Sequence, residues 1–372
     1  MDILILNGTH PAAPHISGVR AGRFADELTR RGHRCVLLCP APPGRAAAPL
    51  SIQGHDWSGP CIVEVDEPTP AAGTGLATLA NLVRYGGRRV GLYRAMIAKG
   101  NEVLTVFRPQ IGWATFGTLE AVTALRALAQ THGFPWIFDD KDNPDIYIPG
   151  LARLPLKWRL SGHAALHANS LLHGEAAERW LGTRAEVIYS GVDDLFFAAQ
   201  PPIRAGRYVT LVGSLYYPKI VAEIVGAVAD HNATSGTEPV SIVHLGTQGD
   251  WLANDRGVTV ETPGYVSPAQ MAQYCQHALA NIYVFLGRTF HHKLFELLAC
   301  RRPVIAYGGE LPESIAEAAR LHAPLVPAMS PAALGDALAT AGSHIPDPAM
   351  PARFFTWPEQ AAMVDAAMRR LT

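Results

Sequence analysis

The chain has 372 residues, of which 48% are hydrophobic and 17% are charged, and its formal net charge is −1. This composition is typical of a globular protein, and the length favours two domains over one. The near-zero charge gives no reason to expect nucleic acid as a partner. We expect the five cysteines to be reduced thiols of a cytoplasmic protein. The N-terminus lacks the basic region of a signal peptide, and no stretch approaches the roughly 20 apolar residues that span a bilayer.

The first half of the chain alternates between strand and helix patterns. A strand at Ile3–Leu6 is followed by a glycine-containing loop, an amphipathic helix over Val19–Arg31 and a second strand at Cys35–Cys39. Such spacing indicates a parallel sheet, whose ligands gather at the carboxyl ends of the strands. The further predicted elements of this half are a partly helical stretch at Val83–Lys99, a helix at Leu119–Thr131, and strands at Phe134–Phe138, Ala164–Ala168 and Glu186–Tyr189.

The second half starts the strand–helix pattern again. Ala198–Arg207 has the composition of a linker, and a strand at Tyr208–Val212 and a helix at Ile220–Ala229 follow it. The halves are not sequence repeats, but each is typical of a doubly wound α/β unit. The further predicted strands of this half lie at Ser241–Leu245, Val258–Val260 and Ala280–Phe285.

The segment 291–310 is the richest in candidate ligand-binding groups. Its leucines recur with helical spacing, and Lys293 and Glu296, three residues apart, lie on one face near the start of the predicted helix. A buried strand at Pro303–Ala306 then leads to Gly308 and Gly309, where backbone amides can approach a ligand closely. A cation, a carboxylate and bare amides together suit a nucleotide, with the carboxylate on the ribose hydroxyls.

An acidic segment follows the predicted strand at Phe134–Phe138. Asp139, Asp140 and Asp142 stand at the carboxyl end of that strand, where their polar groups would be costly unless they are solvated or used in binding or catalysis. A capping and turn cluster is the alternative. The sequence of residues 140–142 also matches a metal-binding D-x-D pattern, but matches to a three-residue pattern are common by chance.

Histidines and arginines form weaker candidates. His10 and His15 lie in the loop after the first strand, and either a ligand contact or a plain loop position fits them. His163 and His167 have helical zinc-site spacing, but their context favours a strand, so we predict no metal. A basic patch at 84–99 could meet anionic lipid, although a solvated helix face is favoured; its members are Arg84, Arg88, Arg89, Arg94 and Lys99.

Four segments of the chain carry motifs that occur in the same order in one known family. They are VIYSGVDDLFF at 187–197, LVGSLYYPK at 211–219, KLFELLACRRPVIA at 293–306 and FTWPEQAAMVDAAMRR at 355–370. The motifs resemble those of the retaining, group 1 (GT4-type) glycosyltransferases of the GT-B fold, and the third is the strongest match. In that family the first segment crosses between the two domains, the second is a strand–glycine–helix start with a downstream lysine, and the fourth is the last helix, which returns to the N-terminal domain.

The resemblance implies an α/β protein of the GT-B fold, with two Rossmann-like domains facing a central cleft. Residues 1–197, together with a C-terminal helix at 355–372, would form the acceptor-binding domain, and residues 198–354 the domain that binds a nucleotide-sugar donor. Transfer to an acceptor hydroxyl would occur with retention and without a metal or other cofactor. Arg288 stands where many members of the family carry the first glutamate of a conserved pair.

The site residues implied by the resemblance fall into three groups. The donor-binding residues are Gly213, Ser214, Lys219, Arg288, Lys293, Leu294, Glu296, Gly308 and Gly309. The catalytic residues are Asp140, Asp142, Lys219 and Lys293. The acceptor-binding residues are His10, His15, Gly18 and Asp139.

Two other functions remain open at this point. A sugar-nucleotide epimerase shares the fold and would act on the donor alone, whereas a two-domain sugar-binding protein would not catalyse a reaction. The expected partners are a nucleotide sugar and a sugar, natural-product or lipid-linked acceptor, with a cytoplasmic location that extends to the inner membrane face.

Overall fold

The computed structural model describes residues 1–13, 15–67, 75–252 and 256–372. The chain forms two compact units. Unit 1 consists of Met1–Gly191 and Trp357–Thr372, and unit 2 of Val192–Thr356. The division therefore lies just before the predicted linker at 198–207.

Unit 1 is built on a seven-stranded parallel sheet with the order β3-β2-β1-β4-β5-β6-β7. The chain winds outward from β1 in one direction and from β4 in the other, so the switch point lies between these two strands. The strands are β1 (Asp2–Leu6), β2 (Arg34–Pro40), β3 (Cys61–Val65), β4 (Ile111–Thr115), β5 (Trp136–Asp140), β6 (Ala165–Ala168) and β7 (Ala185–Val187).

Helices of unit 1 follow most of its strands. The predicted helical stretch at 83–99 is in fact two helices, because Gly86 adopts a φ of +89° and ends the first one. A Cβ on Gly86 would lie 2.3 Å from the carbonyl oxygen of Leu119, so only glycine fits this break. The helices are α1 (Ile16–Arg30), α2 (Leu76–Tyr85), α3 (Val90–Val106), α4 (Leu119–His132), α5 (Pro144–Tyr147), α6 (Gly150–Leu160) and α7 (Leu171–Leu181).

Unit 2 has a six-stranded parallel sheet with the order β10-β9-β8-β11-β12-β13 and its switch point between β8 and β11. Its strands are β8 (Tyr208–Val212), β9 (Ser241–Leu245), β10 (Val260–Gly264), β11 (Asn281–Val284), β12 (Val304–Tyr307) and β13 (Leu325–Ala328). Its helices are α8 (Pro218–Thr234), α9 (Pro268–His277), α10 (Lys293–Ala299), α11 (Pro312–Arg320) and α12 (Pro331–Ala341).

The last helix, α13 (Trp357–Arg369), belongs to unit 1 although it follows unit 2 in the chain. Its apolar face, which includes Val364 and Met368, packs in the core cluster that also contains residues of α1 and β1. Phe24 of α1 makes edge-to-face contacts with Trp113 and Trp357, with ring centroids 5.7 and 5.4 Å apart. Burial of these aromatic rings fixes the chain terminus on unit 1.

The fold class is confirmed, since both units are Rossmann-like α/β domains with parallel sheets. The predicted strand at Val258–Val260 is misplaced, because β10 runs over Val260–Gly264. β3, β4 and β13 were not predicted. No helix in the described ranges is long and apolar enough to cross a bilayer.

Candidate functional site

The turn after β8 forms the floor of a candidate site at the switch point of unit 2. Gly213 adopts a φ of +113°, and its carbonyl oxygen lies 2.9 Å from Nε2 of His244 on β9. A Cβ on Gly246 would stand 2.0 Å from that same oxygen. The turns after β8 and β9 are therefore pressed together, which requires glycine at position 246.

Lys293 and Glu296 lie on the first turn of α10 and are half-buried. The Nζ atom of Lys293 is 3.9 Å from the place that a Cβ on Gly213 would occupy, so the lysine sits against the turn after β8. Across the part of the chain that the structure describes, neither charged group has a protein hydrogen-bond partner. Both groups are thus available to a ligand at the carboxyl end of the sheet.

Burial perturbs both charges of this pair. It lowers the pKa of Lys293, and the nearby Glu296 carboxylate opposes that shift. Burial likewise raises the pKa of Glu296 to about 8, which Lys293 opposes and Asp193 reinforces. Titratable groups whose charged forms are disfavoured by burial are common at binding sites, because a ligand can supply the missing partners.

A glycine turn after β12 borders the same edge of the sheet. Gly308 and Gly309 have φ values of +99° and +106°, and a Cβ on Gly308 would stand 2.8 Å from the carbonyl oxygen of Phe285. Glu310 holds the turn in place: it accepts hydrogen bonds from the hydroxyl of Tyr283 and, at 2.7 Å, from the backbone N–H of Leu311. Burial raises the pKa of Glu310 to about 6. The sequence did not point to this carboxylate.

His291 is a further group of this edge. Its ring contacts Tyr283 and Phe285, with centroids 5.5 and 6.1 Å away, and its Nε2 is buried without a partner among the described residues. Burial, assisted by Lys293, lowers the pKa of His291 to about 4. The imidazole is therefore neutral at physiological pH and can offer a hydrogen bond but no charge.

The remaining predicted donor-binding residues differ in their surroundings. Ser214 accepts a hydrogen bond of 2.9 Å from the hydroxyl of Thr247, next to Gly213. Lys219 and Arg288 are exposed, the former on the first turn of α8. Leu294 is a correction: its side chain is buried in the core and its backbone N–H donates to His291, which leaves no group for a ligand.

In unit 1, Asp139 is a structural residue and not the predicted acceptor contact. Its carboxylate is fully buried and receives two hydrogen bonds from the guanidinium of Arg20, at 2.9 and 2.7 Å. Arg20 also donates to the carbonyl of Ile188 and to the hydroxyl of Ser190. Since both ions are inaccessible and mutually paired, Asp139 fixes β5 to α1 and β7 and cannot contact an acceptor.

Asp140 points to the opposite face of the sheet from Asp139. It is fully buried, and within the described ranges neither of its carboxyl oxygens has a hydrogen-bond partner. Burial, followed by the charges of Asp142 and Asp139, raises the pKa of Asp140 well above its usual range. The surroundings of Asp140 therefore favour its protonated form.

Asp142 and His15 are brought together at the switch point of unit 1. Lys141, which is buried, donates a hydrogen bond of 2.6 Å to Asp142. Desolvation and then the charge of Lys141 lower the pKa of His15, while Asp142 opposes this effect. A Cβ on Gly117, which follows β4, would lie 3.9 Å from the Cε of Lys141. Lys141 and Gly117 are members of this cluster that the sequence did not single out.

His10 and Gly18 stabilise the loop after β1. Nδ1 of His10 accepts a hydrogen bond from the backbone of Ala12, and Nε2 lies 3.2 Å from Oε1 of Glu64 on β3. Both ring nitrogens are occupied, so His10 has none left for the predicted acceptor contact. A Cβ on Gly18 would come within 2.3 Å of the carbonyl oxygen of His10, which makes this glycine a packing requirement.

The predicted basic patch at 84–99 is partly neutralised. Arg89 forms an ion pair with Glu67, and Lys99 one of 2.6 Å with Glu102. Two further arginines of the stretch lie against the ring of Tyr85. Among the described residues, no group of three or more acidic, histidine or cysteine side chains has the arrangement of a metal site.

Comparison with known proteins relates this geometry to a family. Residues 206–343, which cover most of unit 2, match the model of the family described as glycosyl transferases group 1. Unit 2 is thus similar to that family over residues 206–343. The match confirms the resemblance to group 1 glycosyltransferases for this region and supports glycosyltransferase activity. A search of curated proteins by sequence found no match.

Solved structures show the same fold over the whole chain. Sucrose-phosphate synthase from Thermosynechococcus elongatus has a TM-score of 0.68 at 15% identity, over 100% of this chain and 99% of that one. An α,α-trehalose 6-phosphate synthase from Burkholderia multivorans has a TM-score of 0.64 at 14% identity, over 99% and 96%. The UDP-GlcNAc 2-epimerase from Methanocaldococcus jannaschii has a TM-score of 0.59 at 12% identity, over 99% and 100%. These similarities establish the GT-B fold.

Proposed function

We propose that the protein is a glycosyltransferase that binds a nucleotide-sugar donor on unit 2 and transfers the sugar to a hydroxyl group of an acceptor. The observation that carries this proposal is the half-buried pair of Lys293 and Glu296 without protein partners at the switch point of unit 2. Lys293 would bind the diphosphate, together with amides of the turns at Gly213 and Gly309. Glu296 would accept hydrogen bonds from two ribose hydroxyls.

The chemistry of transfer explains the need for a cation here. Departure of the nucleoside diphosphate leaves negative charge on the phosphate oxygens, and a fixed positive group lowers the energy of that transition state. Lys293 is held for this role by its burial against Gly213, and Lys219 lies on the first turn of α8 after the same strand. We therefore propose a reaction that needs no metal. Retention of the anomeric configuration is proposed from the resemblance to the family alone.

On unit 1, we propose that the acceptor binds near His15, Lys141 and Asp142. Asp142 is partly exposed, and its ion pair with Lys141 keeps a carboxylate at the edge of the sheet. That carboxylate could orient an acceptor hydroxyl or take up its proton. The five cysteines are free and buried, in keeping with the proposed cytoplasmic location.

Thermal stabilisation by nucleotides tests the donor site first. We expect one of UDP, GDP, ADP, dTDP and CDP to raise the melting temperature, because a ligand at about 100 times its Kd stabilises the folded state by about 2.7 kcal/mol. Glu296→Ala should weaken the affinity about tenfold or more, through the loss of charge-assisted hydrogen bonds. Glu317→Ala is a matched control, since Glu317 pairs on the surface of α11 with Arg320. Equal affinity of both variants would refute the ribose assignment.

Turnover is tested with the nucleotide sugar identified in this way. Release of nucleoside diphosphate should require an acceptor and Lys293, and should persist in the presence of a chelator. NMR of the product would show whether the anomeric configuration is retained. A strict metal requirement would contradict the proposed chemistry, and binding without turnover would favour a sugar-binding protein.

An epimerase is the second candidate, supported by the whole-chain similarity to UDP-GlcNAc 2-epimerases. Such an enzyme inverts a centre of the sugar without an acceptor. Incubation with the nucleotide sugar alone, followed by NMR of the sugar ring, therefore separates the two functions.

A further inference from the structure

Helix α6 presents an apolar stripe to solvent. Leu151, Leu154 and Trp158 recur with helical spacing and are 84%, 55% and 68% exposed. The buried side chains of this helix lie on the opposite face and include Leu156 and Leu160. At 100° per residue, the centres of the two faces are about 180° apart. Among the described residues, the exposed stripe thus serves no packing purpose.

The stripe is flanked by positive charge on both sides. Arg153 and Lys157 lie along one edge of it and Arg159 along the other, and the eleven residues of α6 contain no acidic side chain. An apolar stripe between two rows of cations is the pattern of a helix that lies in a membrane interface, where long basic side chains reach the lipid phosphates. We call these six residues the α6 surface.

A cavity of about 440 Å³ adjoins the α6 surface. It is lined by Leu154, Arg153 and Lys157 of α6, by Ala176, Arg179 and Trp180 of α7, and by Asp145 of α5. The single carboxylate pairs with both arginines, at 2.7 and 3.3 Å. Lys157 has no acidic partner among the described residues. The cavity therefore carries an excess of positive charge beside the exposed leucine.

A second pair of cations points to the same kind of ligand. Arg126 of α4 lies close enough to Arg159 for burial and then the like charge to lower its pKa. The Nε groups of both arginines are buried and have no acceptor within the described ranges. An anion beside these two guanidinium groups would supply the acceptors that their Nε groups lack.

We propose that the α6 surface docks the protein onto an anionic lipid bilayer. Leu151, Leu154 and Trp158 enter the interface, and the flanking cations meet lipid phosphates. This combination favours lipid over a protein partner, because an apolar protein interface would bury Lys157 and Arg159, which have no acidic partner among the described residues. The proposal does not depend on the donor site, and it assigns membrane contact to α6 and not to the partly neutralised patch at 84–99.

Sedimentation with vesicles tests the proposal. The full chain should bind vesicles that contain phosphatidylglycerol more tightly than vesicles of phosphatidylcholine alone, and added salt should weaken this binding. The triple variant Leu151→Ser/Leu154→Ser/Trp158→Ser should lose about tenfold or more of the affinity. Lys157→Glu should lose about fivefold or more. Ile345→Ser is the matched control, because Ile345 is 84% exposed on unit 2.

A variant with a fluorescent label on α6 tests the proposal without substitutions that could impair folding of the whole stripe. All five native cysteines are buried, so Leu154→Cys can be modified selectively with an environment-sensitive fluorophore. We expect a blue shift of its emission on addition of the anionic vesicles. No shift, or equal binding by the triple and Ile345→Ser variants, would overturn the proposal. A shift that depends on protein concentration without lipid would instead indicate that a second copy of the chain covers this surface.

Discussion

The buried pair of Arg20 and Asp139 gives the sharpest prediction for unit 1. The guanidinium of Arg20 is fully buried and makes two bonds to Asp139 and two to neighbouring groups. The substitution Asp139→Asn removes the counter-charge but leaves the cation in place. Because an uncompensated buried charge costs about 3–5 kcal/mol, the free energy of unfolding should fall by about that amount.

Urea unfolding followed by tryptophan fluorescence measures this loss. Six of the seven tryptophans belong to unit 1 and only Trp251 to unit 2, so the signal reports mainly on unit 1. With a slope of about 2–3 kcal/mol per molar urea, the midpoint should shift by about 1–2.5 M. Asp2→Asn is the matched control: it breaks the exposed bidentate pair with Arg34, which is worth about 0–1 kcal/mol. Similar shifts for both variants would refute a structural role of Asp139.

Two predictions concern the donor site. Nucleotide affinity should rise about tenfold between about pH 7 and pH 9, because the pKa of Glu296 is raised to about 8 and only its ionised form accepts hydrogen bonds from two hydroxyl groups. Calorimetric titration at several pH values measures this affinity, and Glu296→Gln should show no pH dependence. A wild type without pH dependence would contradict the assignment. Gly246→Ala should abolish nucleotide binding and lower the free energy of unfolding by about 1–3 kcal/mol, because its Cβ would meet the carbonyl of Gly213. Gly335→Ala is the control, because Gly335 lies in open space on α12; it should bind normally and raise the free energy of unfolding by up to about 1 kcal/mol, as measured by thermal unfolding. Normal binding by Gly246→Ala would show that the turn after β8 does not touch the ligand.

Strands that consist of apolar, β-branched runs could be predicted from their own residues alone. β3 and β13 lie at sheet edges, and β13 contains Pro327, so their pairing depends on neighbours that a single segment does not reveal. β4 lies inside the sheet but contains Gly112, which weakens the pattern. In the structure a Cβ at Gly112 would stand 2.7 Å from Leu125, so the glycine reflects helix packing and not a turn.

The candidate site was predictable where it is local. Lys293 and Glu296 share a face of α10 because they are three residues apart, and no tertiary information was needed. The contact of Lys293 with Gly213 joins segments 80 positions apart and follows only from the order of the strands. The partner of Asp139 could not be inferred, since Arg20 lies 119 positions away on a helix without a motif.

Asp139 and Asp140 point to opposite faces of β5, Asp142 follows the strand, and this difference leads to a last prediction. Burial raises the pKa of Asp140 well above its usual range in the native state, whereas the unfolded chain loses this proton near pH 4. The native state therefore binds more protons above this pH, and stability falls with rising pH by up to about 1.4 kcal/mol per unit until the native group ionises. Asp140→Asn removes this dependence. The melting temperature of the variant, relative to that of the wild type, should therefore increase as the pH rises from about 5 to about 8. A relative melting temperature of the variant that instead decreases over this range would mean that Asp140 is ionised in the native state. If the prediction holds, Asp140 can donate a proton but cannot accept one near neutrality, which leaves Asp142 as the carboxylate of this edge that can act on an acceptor hydroxyl.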